Sequence, residues 1–263
     1  MDFHTDSSPD SNPIEILRAF PDDLVCHGFV GRTGGVSRGP FASLNLSYWV
    51  GDDRANVDTN WERLRRAMPA LRAVARMNQV HGNTIHVVTR ENANTRPRGD
   101  GMVTAEPGVF LGVFSADCVP ILMIDSKHRI AGAFHAGWRG IIADIATAGV
   151  TAMTSLGARA SDLRAALGPS IGPCCFEVGE DLADRFATEI PGARNHIRPG
   201  QQGKAYLDLR AIVTDQLVRA GMVATAGEVV GPCTRCASDR FFSRRAANGQ
   251  TTGLQLSFVG FAE

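Results

Sequence analysis

Short unbroken apolar runs, rather than long amphipathic stretches, dominate the middle of this 263-residue chain. Residues 109–114, 119–124 and 130–134 are rich in Val, Ile, Leu and Phe, and polar or turn-forming residues bound each run. This is the pattern of buried strands. Val25 to Val30, Ala165 to Leu167, Val229–Val230 and Leu254 to Phe258 read the same way. Two more short strands are expected over 77–88, with a turn at His81. Helical spacing appears elsewhere. Val57, Trp61, Leu64 and Met68 predict an amphipathic helix over 53–68, capped by Asp52 or Asp53. Ile141, Ile145, Ala148, Ala152 and Leu156 predict one helical face that ends at Gly157. Val178, Leu182 and Phe186 mark a helix closed by Pro191. Asp208 caps a further one carrying Leu209, Ile212, Val213 and Leu217. Strands alternating with helices predict an α/β fold. No repeat or interdomain linker is visible, so the expected layout is a flexible tail over 1–13 and one domain over 14–263.

Composition narrows the class. Lys plus Arg and Asp plus Glu both number 27, so no basic excess argues for nucleic acid. No apolar run approaches the ~18 residues of a membrane span. The opening MDFHTDSSPDSNP lacks the basic start and apolar stretch of a signal peptide, so a cytoplasmic location is expected. Six cysteines in such a chain point to free thiols or metal ligands rather than a disulfide frame. Cys233-Thr234-Arg235-Cys236 is a single CxxC. A structural zinc site needs four ligands, so this pair reads as two reduced thiols.

The chemistry gathers around three residues. Cys118 lies in Ser115-Ala116-Asp117-Cys118, between two of the central runs. His135 follows the third run, and His81 sits in Asn78-Gln79-Val80-His81-Gly82. Two imidazoles and a thiolate form a good zinc set that leaves a fourth position open. Such a site lowers the pKa of bound water to about 7. The competing readings are a cysteine hydrolase with Cys118 as nucleophile and a non-enzymatic metal-storage module, which would need a fourth ligand. Asp117 is a candidate acid or base, or a residue that orients a neighbour. A helix starting beside His135 and Arg139 would favour anions at its N-terminus. The loop Gly31 to Pro40, with Arg32 and Arg38, could also bring N–H groups and guanidinium forks onto an anion, or be a plain turn.

Five motifs in order then carry a resemblance: NQVHG at 78–82, SADCVP at 115–120, HAGWRG at 135–140, GPSIGPCCFEV at 168–178, and the segment from Cys233 to Arg245 that ends in FFSRR. Together they resemble the YfiH/DUF152 family, labelled laccase-like multicopper polyphenol oxidoreductase and also purine nucleoside phosphorylase, with laccase domain-containing protein 1 among its relatives. The resemblance implies a layered α/β domain similar to the cytotoxic necrotizing factor catalytic domain. It also implies a metal site on His81, Cys118 and His135. The implied activity is phosphate-dependent cleavage of adenosine, inosine, guanosine and methylthioadenosine, with adenosine deamination beside it. The implied partners are purine nucleosides and phosphate. A peptidoglycan-precursor editing hydrolase using the same pocket is the runner-up. Zinc is the expected metal and copper the weaker alternative, because multicopper oxidation needs many histidine ligands and the chain has seven histidines, several isolated. Arg32, Asn45, Arg139 and Arg245 are the expected substrate or phosphate contacts, and Asp117 joins the trio as a catalytic candidate. One departure stands out: Thr252-Gly253-Leu254 replaces the TGR common in the family, so a guanidinium contact there is lost or replaced.

Overall fold

The central strands are not half-buried, and this explains their unbroken apolar runs. Every residue of Val25–Val30, Phe110–Ser115, Val119–Asp125, Ile130–Ala136 and Gln255–Phe261 is buried. Successive side chains point to opposite faces of a strand, so both faces of each sheet must be covered. The computed structural model, which describes residues 13–21, 25–224 and 227–263, shows how. The expected tail over 1–13 lies, up to residue 12, outside the described residues.

Two large sheets stack face to face. One has five strands in the order Ile16–Leu17, Val25–Val30, Gln255–Phe261, Phe110–Ser115, Val74–Ala75. The other has six, in the order Gly227–Val229, Arg164–Leu167, Val119–Asp125, Ile130–Ala136, Gly101–Thr104, Ile85–Val87. The long central pairs are antiparallel, and parallel pairs occur at the edges. Between the sheets, Leu111, Val113, Val259 and Phe29 meet Leu122, Ile124, Ala131 and Ala133. The alternate residues Ile121, Met123, Ile130 and Phe134 face outward onto the helices Ile145–Ser155, Glu180–Glu189 and Leu209–Arg219. On the far side of the five-stranded sheet, Phe114, Leu256 and Phe258 pack on Val57, Trp61 and Leu64 of the helix Arg54–Ala67. The order of layers is helix, sheet, sheet, helix. A three-stranded antiparallel sheet, Glu177–Gly179, Lys204–Leu207 and Ile197–Pro199, lies beside the outer helices. No helix among the described residues is long and apolar enough to cross a membrane.

The α/β class holds, with local corrections. The helix expected through Ile141 to Leu156 is two, Trp138–Ile142 and Ile145–Ser155. Asp144 breaks it in a left-handed conformation (φ 57°) and caps the second helix by accepting from Thr147 N. The buried stripe is Ile145, Ala146, Gly149, Val150 and Met153, so Ala148, Ala152 and Leu156 sit on its margin. Val178 belongs to a strand before its helix, not to the helix. The strand expected around 77–82 is a loop with one isolated bridge, Asn78 to Arg98. Asp53 and Asp208 cap their helices as expected, accepting from Ala55 N and Ala211 N.

Candidate functional site

The site forms where the chain crosses between the sheets. Phe110–Ser115 belongs to the five-stranded sheet and Val119–Asp125 to the six-stranded one, so Ala116, Asp117 and Cys118 bridge them. Val119 pairs with Ala136, and Pro120 with His135, which places Cys118 and His135 at one end of adjacent strands. Gly137 follows as N-cap of the helix Trp138–Ile142.

His81 reaches this point from its loop with φ 62°, which a non-glycine residue rarely adopts. Asp100, which no sequence motif singles out, holds it there. Its fully buried carboxylate accepts from the backbone N–H of Val80, His81 and Gly82 at 3.1, 2.9 and 2.7 Å. It also accepts from His135 Nδ1 at 2.9 Å. Burial alone would raise the Asp100 carboxyl; the bonds from His135, Gly82 and His81 hold it below the usual carboxylate value. A carboxylate on Nδ1 fixes the tautomer and leaves Nε2 free as a ligand.

One ligand atom from each of His81, Cys118 and His135 lies within 4.8 Å of the others. The two imidazole rings stand edge to face, 4.8 Å apart at 83°. A Cβ at Gly137 would sit 2.8 Å from His81 Cδ2 and 3.2 Å from the Cys118 sulfur. The glycine therefore keeps the space beside the trio clear. Burial pushes the Cys118 thiol up, but the His135 and His81 imidazoles facing it outweigh this and bring it down. Burial pushes His135 down, and Cys118 with Asp100 outweigh that and bring it up. A thiolate and two oriented imidazoles suit zinc, and the donor count leaves one position open.

The trio lines a cavity of about 990 Å³. Trp49, Phe114, Trp138 and Phe176 supply aromatic surface, and Arg96, Arg244 and Arg245 supply charge. Arg244 has no ion-pair partner among the described residues, whereas Arg245 Nη1 donates to the carbonyls of Cys175 and Glu177 at 3.2 and 3.0 Å. Asp117 also lines the cavity. Its Oδ1 accepts from the Thr234 hydroxyl at 2.6 Å and its Oδ2 from Arg245 N at 2.6 Å. Asp117 thereby ties the Arg245 backbone to Thr234. Ser115 also lines the cavity, and its buried hydroxyl has no hydrogen-bond partner among the described residues.

Three expected substrate contacts lie outside this wall. Arg32 donates to Ala42 O at 2.8 Å and Ser238 O at 2.6 Å, and stacks over Phe242, so it ties the glycine loop to the C-terminal segment. Asn45 is fully buried and bonded to Ser47, Asp52 and Leu254, so it shapes the loop behind the wall. Arg139 is exposed and stacks on Trp138 at 4.1 Å. Leu254 itself lines the cavity, so the wall is apolar at this position.

The chain is similar to known proteins over nearly its whole length. The family model described as "Multi-copper polyphenol oxidoreductase laccase" matches residues 26–262. The protein named purine nucleoside phosphorylase YlmD, from Geobacillus stearothermophilus, is 38% identical over 251 residues, 90% of each chain. A protein from Deinococcus radiodurans named purine nucleoside phosphorylase is 40% identical, covering 94% of this chain and 93% of its own. The crystal structure of YlmD superposes with a TM-score of 0.89 at 35% identity over 100% of both chains. That of Bacillus licheniformis YfiH, named there as a hypothetical protein, gives 0.88 at 30% identity over 97% of both. With its motifs, its layers and its nearly full-length matches in agreement, the chain belongs to the YfiH/DUF152 family of laccase-like proteins.

Proposed function

We propose that this protein is a zinc-dependent purine nucleoside phosphorylase, acting on adenosine, inosine, guanosine and methylthioadenosine. The observation that carries the reading is the open three-ligand set of His81, Cys118 and His135 in the wall of an aromatic, arginine-bearing cavity. The names of the related proteins support the reaction class. Zinc held by the trio supplies Lewis acidity at the reacting centre. The protein's own residues supply the rest. Asp100 keeps the His135 Nδ1 proton in place and the imidazole aimed at the site. Trp49, Phe114, Trp138 and Phe176 offer flat apolar faces to a purine and keep water from competing with phosphate. Arg244 and Arg245 place cationic charge where a phosphate can dock, and Asp117 holds the Arg245 backbone.

Cys118→Ala, His81→Ala and His135→Ala are each expected to remove one equivalent of zinc and abolish activity while the fold persists. A strong chelator should inactivate the wild type, and added zinc should restore it. Alkylation of Cys118 should be slow with metal bound and fast after its removal. Full activity in metal-free protein, lost at once on alkylating Cys118, would contradict the zinc reading and favour a cysteine hydrolase.

A further inference from the structure

Four of the six cysteines, 174, 175, 233 and 236, come together on the other side of the Phe176 and Arg245 wall, with one sulfur of each within 4.8 Å of the others. We propose that Cys174, Cys175, Cys233 and Cys236 form a second, closed metal site that holds one structural zinc ion and braces the arginine-bearing wall of the cavity.

The geometry is that of a tetrahedral thiolate shell. Zinc–sulfur bonds of about 2.3 Å place the four sulfurs about 3.8 Å from one another. Cys236 Sγ lies 3.6 Å from Cys174 Sγ and 3.4 Å from Cys175 Sγ. All four are free thiols. Sulfurs this close surround a single ion, with no room for the inorganic core of an iron–sulfur cluster between them. Four protein sulfurs also complete the coordination, which marks a structural site, in contrast to the trio with its open position.

The surroundings are built to hold these sulfurs. Gly172 N donates to Cys233 Sγ at 3.2 Å. Gly172 is a glycine for a reason of space: a Cβ there would lie 3.1 Å from Cys233 Cβ and 3.4 Å from Cys174 Sγ. Beneath the cluster the guanidinium of Arg210, 9% exposed, is clamped by Ser170 Oγ at 2.8 Å and by the carbonyls of Ser170, Gly231 and Pro232. Four thiolates around one divalent ion leave an excess negative charge of two, and a fixed buried cation offsets part of it.

The site joins two loops far apart in sequence, and both reach the substrate cavity. Ile171 and Phe176 come from one, and Arg244 and Arg245 follow the other. Arg245 already donates to Cys175 O, and Asp117 spans Thr234 and Arg245 N. An ion binding all four sulfurs would close this lattice of bonds.

The test uses the full-length protein. The wild type should carry two zinc ions per chain. His81→Ala should keep one, and zinc-edge X-ray absorption on that variant should show a sulfur-only shell at about 2.3 Å. Cys233→Ser with Cys236→Ser should keep the other, with nitrogen and sulfur neighbours. His81→Ala loaded with cobalt should show the intense thiolate-to-metal charge transfer of a four-sulfur site. Because these readouts follow metal and not turnover, they stand apart from the phosphorylase reading. His81→Ala that holds no zinc and reacts at once at all four thiols would overturn the proposal. So would iron in place of zinc, or an intact mass lower by two hydrogens per cysteine pair, which signals disulfides.

Discussion

Asp100 decides how well the trio works. It holds His81 through backbone bonds and His135 through Nδ1, so one carboxylate sets two of the three ligands. Asp100→Asn keeps the size but loses charge, and its amide NH2 would face backbone N–H donors. Removal of a carboxylate that orients a metal-binding histidine weakens metal affinity by about 10- to 100-fold. We expect a loss in that range by competition with a chelator, and activity should fall and partly recover with excess zinc. His27 gives a separate pH signature. Its Nε2 accepts from Ala19 N and Phe20 N, both at 3.0 Å. Burial lowers it to about 4, against its bond to Val25 O. The unfolded chain therefore takes up a proton near pH 6.5 that the folded chain refuses until about pH 4. Its contribution to stability is fully present above 6.5 and is lost as pH falls towards 4, by about 3 kcal/mol in all. Thermal melts of wild type against His27→Gln should show the wild type losing more stability across that window; parallel curves would contradict this. At this scale the sequence showed the trio, because each member stands in a distinctive motif. It hid Asp100, a lone acid in a polar loop, and the four-cysteine cluster, whose halves lie about sixty residues apart and meet only through the fold.

The elements were legible where burial is two-sided. The runs at 109–114, 119–124 and 130–134 match strands because no solvent-facing residue interrupts them. The small sheet with Ile197–Pro199 and Lys204–Leu207 was missed because its strands are short and its exposed face breaks the pattern. The split at Asp144 was hidden because the apolar spacing runs on across it. Gly149 shows an opposition between effects on the second of those helices. Helix propensity favours Gly149→Ala by about 1 kcal/mol. Its Cβ, however, would lie 2.8 and 3.0 Å from the Phe134 ring and 2.9 Å from Met123 Cε. Met123 can yield, but Phe134 is fully buried in the sheet. Overpacking of this kind costs about 1–3 kcal/mol. We expect Gly149→Ala to lower Tm despite its better propensity, and a raised Tm would show that the sheet gives way.

For the whole molecule, each large sheet is shared by two cores, and the cavity draws residues from the first fifth of the chain to the last. We read residues 14–263 as one catalytic domain on this ground. The layers bring the candidate metal ligands to one end of the six-stranded sheet, and the loops between layers bring the arginines to the same cavity. The account stands on phosphate being the co-substrate those arginines receive. The most direct measurement is product analysis of inosine incubated with the zinc-loaded protein, with and without inorganic phosphate. We predict hypoxanthine and ribose 1-phosphate in equal amounts, formed only when phosphate is present; free ribose released at the same rate without phosphate would contradict the account.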